Sequence, residues 1–331
     1  MRVALDEARK GIGKTAPNPA VGAVVVRSGR ILAKGWHRGA GLPHAEVSAL
    51  RKIPAGKSAK GATIYVTLEP CSTHGRTPPC TEAIKEAGIS RVVYGAQDPN
   101  PKHSGRGRTQ LEDAGINVSW GVLAVECESL NRYWNKWIRT GMPFVTAKWG
   151  MSLDGRIASP TGRRWITSEV SRRDLMRLRE ECGAILVGGK TALIDNPRLT
   201  VRGRRTRVQP WRVVWSRDAR IEPSSELLAD EHRDRTLIYR GQSLREVLSD
   251  LGHRGVQHVL IEGGGRTHGE AFDRELIDQV VIYVAPTLIG GLVPSVGGRG
   301  ANSNSAGYRL INPVYKKLGP DLKITAELSI A

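Results

Sequence analysis

Four residues carry the most specific chemistry in this chain: His44, Glu46, Cys71 and Cys80. One imidazole and two thiolates supply three ligands to a zinc ion. The fourth tetrahedral position stays open to water, which separates a catalytic zinc from a structural one. A zinc held this way makes hydroxide available near neutral pH. Glu46, two residues from the imidazole, is no ligand in such chemistry; it moves protons between the attacking water and a departing amine. A structural zinc would want a fourth protein ligand. His74 or His37 could supply one, but Glu46 would then have no role. Eight residues, Ser72 to Pro79, separate the cysteines, where deaminases of nucleic-acid bases place two. The insert brings His74 and Arg76 beside the metal. An imidazole and a guanidinium there suit a substrate carrying a phosphate or sugar hydroxyls.

The second half offers a different constellation. Gly188-Gly189-Lys190-Thr191 follows the apolar run Ala184 to Val187, and Gly263-Gly264-Gly265 follows Val259 to Glu262. Glycines directly after a strand let backbone amides approach a phosphate at a helix N-terminus. A tight turn is the plain alternative for either cluster alone. Together, at neighbouring strand ends of a parallel sheet, they favour a dinucleotide cleft. Phosphates need cationic partners; the candidates are Arg163, Arg164, Arg179, Arg202 and the group Arg204, Arg205 and Arg207.

The elements that must position these residues follow from hydrophobic periodicity. Val21 to Val26 is a short, β-branched apolar run, which predicts a strand buried on both faces. Ser28-Gly29-Arg30 is a hairpin turn, and Ile31 to Trp36 the returning strand. A helix starts at Glu46. Ala62 to Leu68 is a strand that delivers Glu69-Pro70-Cys71 at its carboxyl end, where open α/β sheets place their sites. Cys80 opens a helix, and a thiolate there is favoured by the helix dipole. Arg91 to Gly95 and Asn117 to Val122 are further strands. Residues 124–140 read as one connecting helix, so the domain boundary falls at 140/141. Strands then recur at 143–149, 184–187, 212–215, 236–239, 258–261 and 280–284, with helices at about 168–181, 243–252 and 268–275. This alternation implies a mostly parallel sheet. Gly297 to Ser305 reads as a Gly/Ser/Asn-rich loop.

Composition sets the outer bounds. A chain of 331 residues that is 40% apolar supports two domains, each with a buried core. No run of eighteen apolar residues exists to span a membrane, and the N-terminus has no apolar segment of a signal peptide. Four cysteines, two of them in the metal motif, imply a reducing, cytoplasmic setting. The net charge of +18 raises nucleic acid as a partner. The excess is spread, however: 21 Lys/Arg against 11 Asp/Glu in residues 1–140, and 29 against 21 in residues 141–331. With aromatics at only 5%, a basic stacking surface is not expected.

The chain resembles the bifunctional riboflavin-biosynthesis deaminase/reductase family. The resemblance rests on Asn18-Pro19-Ala20-Val21-Gly22, His44-Ala45-Glu46, the run Thr67 to Cys80 and Asp98-Pro99-Asn100-Pro101. It continues through Lys148 to Arg156, Trp165-Ile166-Thr167-Ser168, Asp195 to Thr200, Ile261-Glu262-Gly263-Gly264 and Ala285 to Gly290. It implies an N-terminal cytidine-deaminase-like three-layer α/β/α domain, residues 1–140, ahead of a dihydrofolate-reductase-like α/β domain, residues 141–331. It implies a phosphorylated pyrimidine as substrate: deamination of 2,5-diamino-6-ribosylamino-4(3H)-pyrimidinone 5′-phosphate with zinc, then reduction of the ribosyl chain to ribityl with NADPH. By matching positions, His44, Cys71 and Cys80 hold zinc and Glu46 is catalytic. Asn18, His37, Arg76, Asp98 and Asn100 face the first substrate. Gly150, Trp165, Thr167, Thr191, Asp195 and Gly263, Gly264 and Gly265 hold the cofactor. Arg163, Arg179, Leu199, Arg202 and Glu262 meet the second substrate, with Lys148 and Asp154 as candidate proton donors. A homo-oligomer without nucleic-acid or membrane partners is expected. Two departures stand out. Thr73, followed by His74, occupies a position where the family often has His. The segment between Gly155 and Trp165 is one residue short, and a small polar residue is more usual where Arg163 or Arg164 falls.

Overall fold

The computed structural model describes residues 1–75, 77–101, 103–158, 165–203, 208–218, 220–300 and 307–330. Arg76, Arg163, Arg164, Arg204, Arg205 and Arg207 lie outside the described residues. The chain divides into two compact units, Met1–Gly141 and Met142–Ala331.

In the first unit the elements run α1 (Arg2–Arg9), β1 (Gly22–Arg27), β2 (Arg30–Trp36), α2 (Ala45–Leu50), β3 (Thr63–Leu68), α3 (Cys80–Glu86), β4 (Arg91–Ala96), α4 (Arg106–Asp113), β5 (Asn117–Trp120), α5 (Ala124–Leu130) and α6 (Arg132–Thr140). The sheet order is β2-β1-β3-β4-β5. β1 pairs antiparallel with β2 and β3, while β3, β4 and β5 are parallel. Two glycines explain the layering. A Cβ on Gly22 would fall 2.0 Å from the Ala4 carbonyl of α1, and one on Gly35 would fall 2.3 Å from the Ala49 nitrogen of α2. Ala23, not Gly22, is the register partner of Gly35, so the two glycines point to opposite faces. Helix backbone therefore lies directly on each face of the sheet. The α2 side buries Val25, Ile64, Val66, Val92, Ile84 and Leu111, and another cluster gathers Leu5, Leu68, Ala96, Cys127 and Trp134. The single connecting helix expected over 124–140 is instead two, broken at Asn131. That buried amide accepts from the Ala20 N–H at 2.8 Å and donates to the Ala20 carbonyl at 2.9 Å. Both backbone groups of Ala20 thus fix Asn131 at the junction of the two helices.

The second unit runs β6 (Phe144–Ser152), α7 (Glu169–Glu180), β7 (Ala184–Gly188), α8 (Gly189–Asp195), β8 (Trp211–Ser216), β9 (Thr236–Arg240), α9 (Leu244–His253), β10 (His258–Ile261), α10 (Gly265–Asp273), β11 (Gln279–Ala285), β12 (Tyr308–Leu318) and β13 (Asp321–Ile330). The sheet order is β12-β13-β11-β6-β10-β7-β8-β9. The six strands expected from the sequence form its parallel part. The hairpin β12–β13, which periodicity did not indicate, adds an antiparallel edge. One core lies among Val145, Ala147, Leu186, Leu248, Val259, Ile261 and Val280, and another among Ile185, Val187, Leu199, Val214 and Leu227. Among the described residues no helix is long and apolar enough to cross a membrane.

Candidate active sites

The first site is assembled from three element ends. His44 is the N-cap of α2, Glu46 lies in its first turn, Cys71 follows β3, and Cys80 is the first residue of α3. His44 Nδ1 stands 3.3 Å from Cys80 Sγ and 3.4 Å from Cys71 Sγ. The three ligand atoms lie within 4.8 Å of one another. A tetrahedral zinc with bonds of about 2.0 Å to nitrogen and 2.3 Å to sulfur would set N and S about 3.5 Å apart. The donor set therefore fits zinc in both identity and spacing. The Cys80 N–H, at the start of α3, donates to Cys71 Sγ at 3.3 Å, which favours a thiolate there. The Cys71 thiol is held well below its ordinary value by hydrogen bonds from Cys80 and His44. Its partner Cys80 is pushed up, because the pair shares a proton and Cys80 is buried. Glu46 is 3% exposed; burial raises its carboxyl to about 7, the range in which a group can both take and give a proton.

Around this centre lie Asn18, His37 and Asp98, among the described positions. His37 is buried, and its Nδ1 lies 3.1 Å from the Pro43 carbonyl. A carbonyl only accepts, so Nδ1 carries the hydrogen and Nε2 accepts from Asn18 Nδ2 at 3.0 Å. Burial lowers the His37 pKa and keeps the ring neutral. His37 and His44 meet edge to face at 5.1 Å. Asp98 accepts from the Asn100 N–H at 2.8 Å, and burial raises its carboxyl. Thr73 Oγ1 lies 3.3 Å from His103 Nδ1. Sequence reasoning passed over His103 and Glu69, which belong to no ligand pattern. The signal for Glu69 was its place: a carboxylate at a strand's carboxyl end, directly before Pro70-Cys71.

In the second unit, β7 and β10 are parallel neighbours, and the two glycine clusters stand at their carboxyl ends. A Cβ on Gly188 would fall 2.4 Å from Thr267 Oγ1, and one on Gly263 would fall 2.5 Å from Thr267 Cβ. Both strand ends must therefore remain bare backbone. Gly264 is the N-cap of α10 and Gly265 its first residue, and a Cβ on Gly264 would meet Thr191 Oγ1 at 3.5 Å. The strand ends are bare because Thr267 packs against them, and α10 starts there with glycine backbone and the Thr191 hydroxyl beside it; a helix start of this kind can take a phosphate. Trp165 and Thr167 line a cleft of about 610 Å³ with Arg172, Ala285 and Thr287. The Arg172 guanidinium lies 5.0 Å over the half-exposed Trp165 ring. Gly150 faces Thr167, where a Cβ would come within 2.9 Å of Cγ2. Asp195 ends α8 and is exposed.

Glu262 follows β10 and ties together the residues expected at the second substrate. Arg179 grips it with Nε at 2.6 Å and Nη2 at 3.0 Å, while Arg179 Nη1 donates to the Thr200 carbonyl at 2.9 Å. Lys148 Nζ approaches Glu262 at 3.9 Å. Burial opposes ionisation of Glu262, but Arg179 and Lys148, with a smaller contribution from Arg202, outweigh it and hold the carboxyl below its usual range. Leu199, buried and beside Thr200, has a left-handed φ of +50°, an uncommon backbone conformation for a bulky side chain. Arg202 is exposed. Asp154 does not suit proton donation. It accepts from Ser152 Oγ at 2.5 Å and from the Ile289 and Gly290 N–H groups at 3.1 and 2.7 Å. The Ser152 bond, with those amides, holds its carboxyl down at about 2, so it has no proton to give at neutral pH.

Two family models match the chain. One, described as the cytidine and deoxycytidylate deaminase zinc-binding region, covers residues 1–96; the other, the RibD C-terminal domain, covers residues 143–324. Riboflavin biosynthesis protein RibD of Aquifex aeolicus is 40% identical, over 98% of this chain and 96% of its own. Its counterpart from Mycobacterium tuberculosis is 42% identical, over 98% and 95%. The solved structure of RibD from Acinetobacter baumannii superposes with a TM-score of 0.90 at 33% identity, covering 99% of this chain and 97% of that one. That of a Thermotoga maritima diaminohydroxyphosphoribosylaminopyrimidine deaminase/5-amino-6-(5-phosphoribosylamino)uracil reductase gives 0.87 at 33% identity, covering 100% and 97%. With both halves matched in order and nearly the whole chain aligned, the protein belongs to the RibD family of riboflavin biosynthesis proteins.

Proposed function

We propose that the chain catalyses two consecutive steps of riboflavin biosynthesis on one pyrimidine ribosyl 5′-phosphate. Residues 1–140 hydrolyse an amino group from the ring of 2,5-diamino-6-ribosylamino-4(3H)-pyrimidinone 5′-phosphate, and residues 141–331 reduce the ribosyl chain to ribityl. His44, Cys71 and Cys80 would hold the zinc, which when bound supplies a strong Lewis acid and lowers the pKa of water. Glu46 takes a proton from the attacking water and returns it to the departing amine, so that ammonia leaves. Asn18, neutral His37, Arg76, Asp98 and Asn100 hold the ring and its sugar phosphate. The buried Glu46 beside three converging ligand atoms supports this most strongly.

In the second unit the glycine cradle, Thr191 and Asp195, with Gly150, Trp165 and Thr167, would hold NADPH, which when bound supplies hydride. Glu262, gripped by Arg179, orients the sugar; Leu199, Arg202 and Arg163 complete its pocket. As the sugar ring opens, its oxygen needs a proton. Lys148 is the donor available there, because Asp154 is ionised and committed to backbone amides. We place the protein in the cytoplasm, where four free cysteines remain reduced, without nucleic-acid or membrane partners. Self-association is expected through β12, an edge strand exposing Val314 and Tyr315; light scattering that finds only monomer would exclude it.

The decisive test follows ammonia and NADPH separately. Glu46→Gln should abolish ammonia release yet leave NADPH oxidation on the deaminated substrate. Loss of both activities in a folded variant would refute the assignment of separate sites.

A further inference from the structure

Glu69 is 4% exposed and stands between β3 and Cys71. Its carboxylate is spent entirely on another part of the first unit. Oε2 accepts from the Asp98 N–H at 3.3 Å and from the Gly105 N–H at 3.0 Å. Oε1 accepts from the Arg108 N–H, in the first turn of α4, at 3.3 Å. One oxygen thus closes both ends of the loop 98–105, and the other fixes the helix that follows. The loop has its own internal bonds: Asn100 N–H to Asp98 at 2.8 Å, and the His103 and Ser104 N–H groups to the Asn100 carbonyl, both at 2.9 Å. Those bonds shape the loop but do not attach it to the metal segment. Among the described residues, Glu69 attaches it, as do the Thr73–His103 contact and the close seating of α4, where a Cβ on Gly107 would lie 2.1 Å from the Pro70 carbonyl.

We propose that Glu69 is a positioning residue for deamination: it registers the loop carrying Asp98 and Asn100 against the segment carrying the metal-ligand position Cys71. This rests on the reading that Asp98 and Asn100 face the substrate. A carboxylate suits the task because it only accepts, and all three partners are N–H donors. In a glutamine, the NH₂ would turn a donor toward backbone donors. The loop would keep its shape but lose its register, so the effect falls on substrate binding before chemistry.

The test uses the full chain with zinc. In Glu69→Gln, KM for deamination should rise roughly 10- to 100-fold, the scale of losing buried hydrogen bonds to a charged acceptor. The turnover number should fall less than KM rises, and hydrogen exchange over residues 98–108 should accelerate. Zinc content and NADPH oxidation on the deaminated substrate should match wild type, which also shows that the chain folds. Glu69→Asp, which keeps the charge on a shorter arm, should give a smaller change in the same direction. Unchanged exchange and KM in Glu69→Gln would overturn the proposal, as would loss of zinc, which would make Glu69 a support of the metal segment. Asn100→Ala separates the underlying reading. If it raises KM while Glu69→Gln does not, the positioning role fails and the site stands; if neither raises KM, the loop does not face the substrate and both fail.

Discussion

At the scale of single residues, His268 ties the stability of the fold to pH. It is fully buried on α10, with Nδ1 3.2 Å from the Ser295 carbonyl and Nε2 3.4 Å from the Ile261 carbonyl. Burial depresses its pKa from 6.5 to about 4. Between those values the unfolded chain binds a proton that the native state refuses. The native state is therefore penalised as pH falls through 6.5, with the full penalty reached below about 4. At pH 5 the penalty is about 2 kcal/mol, and at pH 7 it is small. Urea unfolding should show His268→Gln losing less stability between pH 7 and pH 5 than wild type. Equal losses would mean that His268 is protonated as readily in the folded as in the unfolded chain. Nothing in its sequence setting marks His268, whereas His44, Glu46, Cys71 and Cys80 were legible because their types and spacing have few other uses. The Arg179–Glu262 grip was not, since its partners stand 83 residues apart and meet only through the sheet.

At the scale of elements, strands and helices with one buried side followed from periodicity, and two kinds of feature did not. β12 is exposed along nearly its whole length and carries a register shift between Ile311 and Val314, so it shows no alternation to read. The break at Asn131 depends on a distant peptide, Ala20. Close backbone approach was also hidden, although a glycine marked it. Gly35 lets α2 lie on β2, with a Cβ position 2.3 Å from the Ala49 nitrogen and 2.6 Å from the Ala45 carbonyl. Those are backbone atoms of the helix that carries Glu46 and is preceded by its N-cap, His44. Gly35→Ala cannot be relieved by turning a side chain, so α2 must move. The expected cost is about 1–3 kcal/mol of stability, as for other overpacked interiors. Moving a catalytic group by about 1 Å costs roughly 100-fold in rate. Deamination should therefore fall steeply while NADPH oxidation persists. Thermal unfolding and ammonia release measured on one preparation check both parts, and a variant with wild-type deamination would show that α2 does not set the site.

At the scale of the whole molecule, each unit has its own sheet, its own cores and its own candidate site at the carboxyl ends of parallel strands. The three metal ligands come from α2, the end of β3 and α3, all within the first unit. A ligand that binds only the folded state stabilises it by mass action, and zinc bridging three separate elements can do so for that unit alone. Stripping the metal with a chelator should abolish ammonia release. NADPH oxidation on the deaminated substrate should stay within about twofold, the outcome for two independent sites. In calorimetry the first unit's transition should move down by on the order of 2–4 °C for each kcal/mol of linked binding energy, while the second unit's transition keeps its place. Adding zinc back should restore ammonia release and the transition together. If chelation instead abolished both activities in protein that remained folded, the second site would depend on the first, and the chain would have to be treated as one catalytic body.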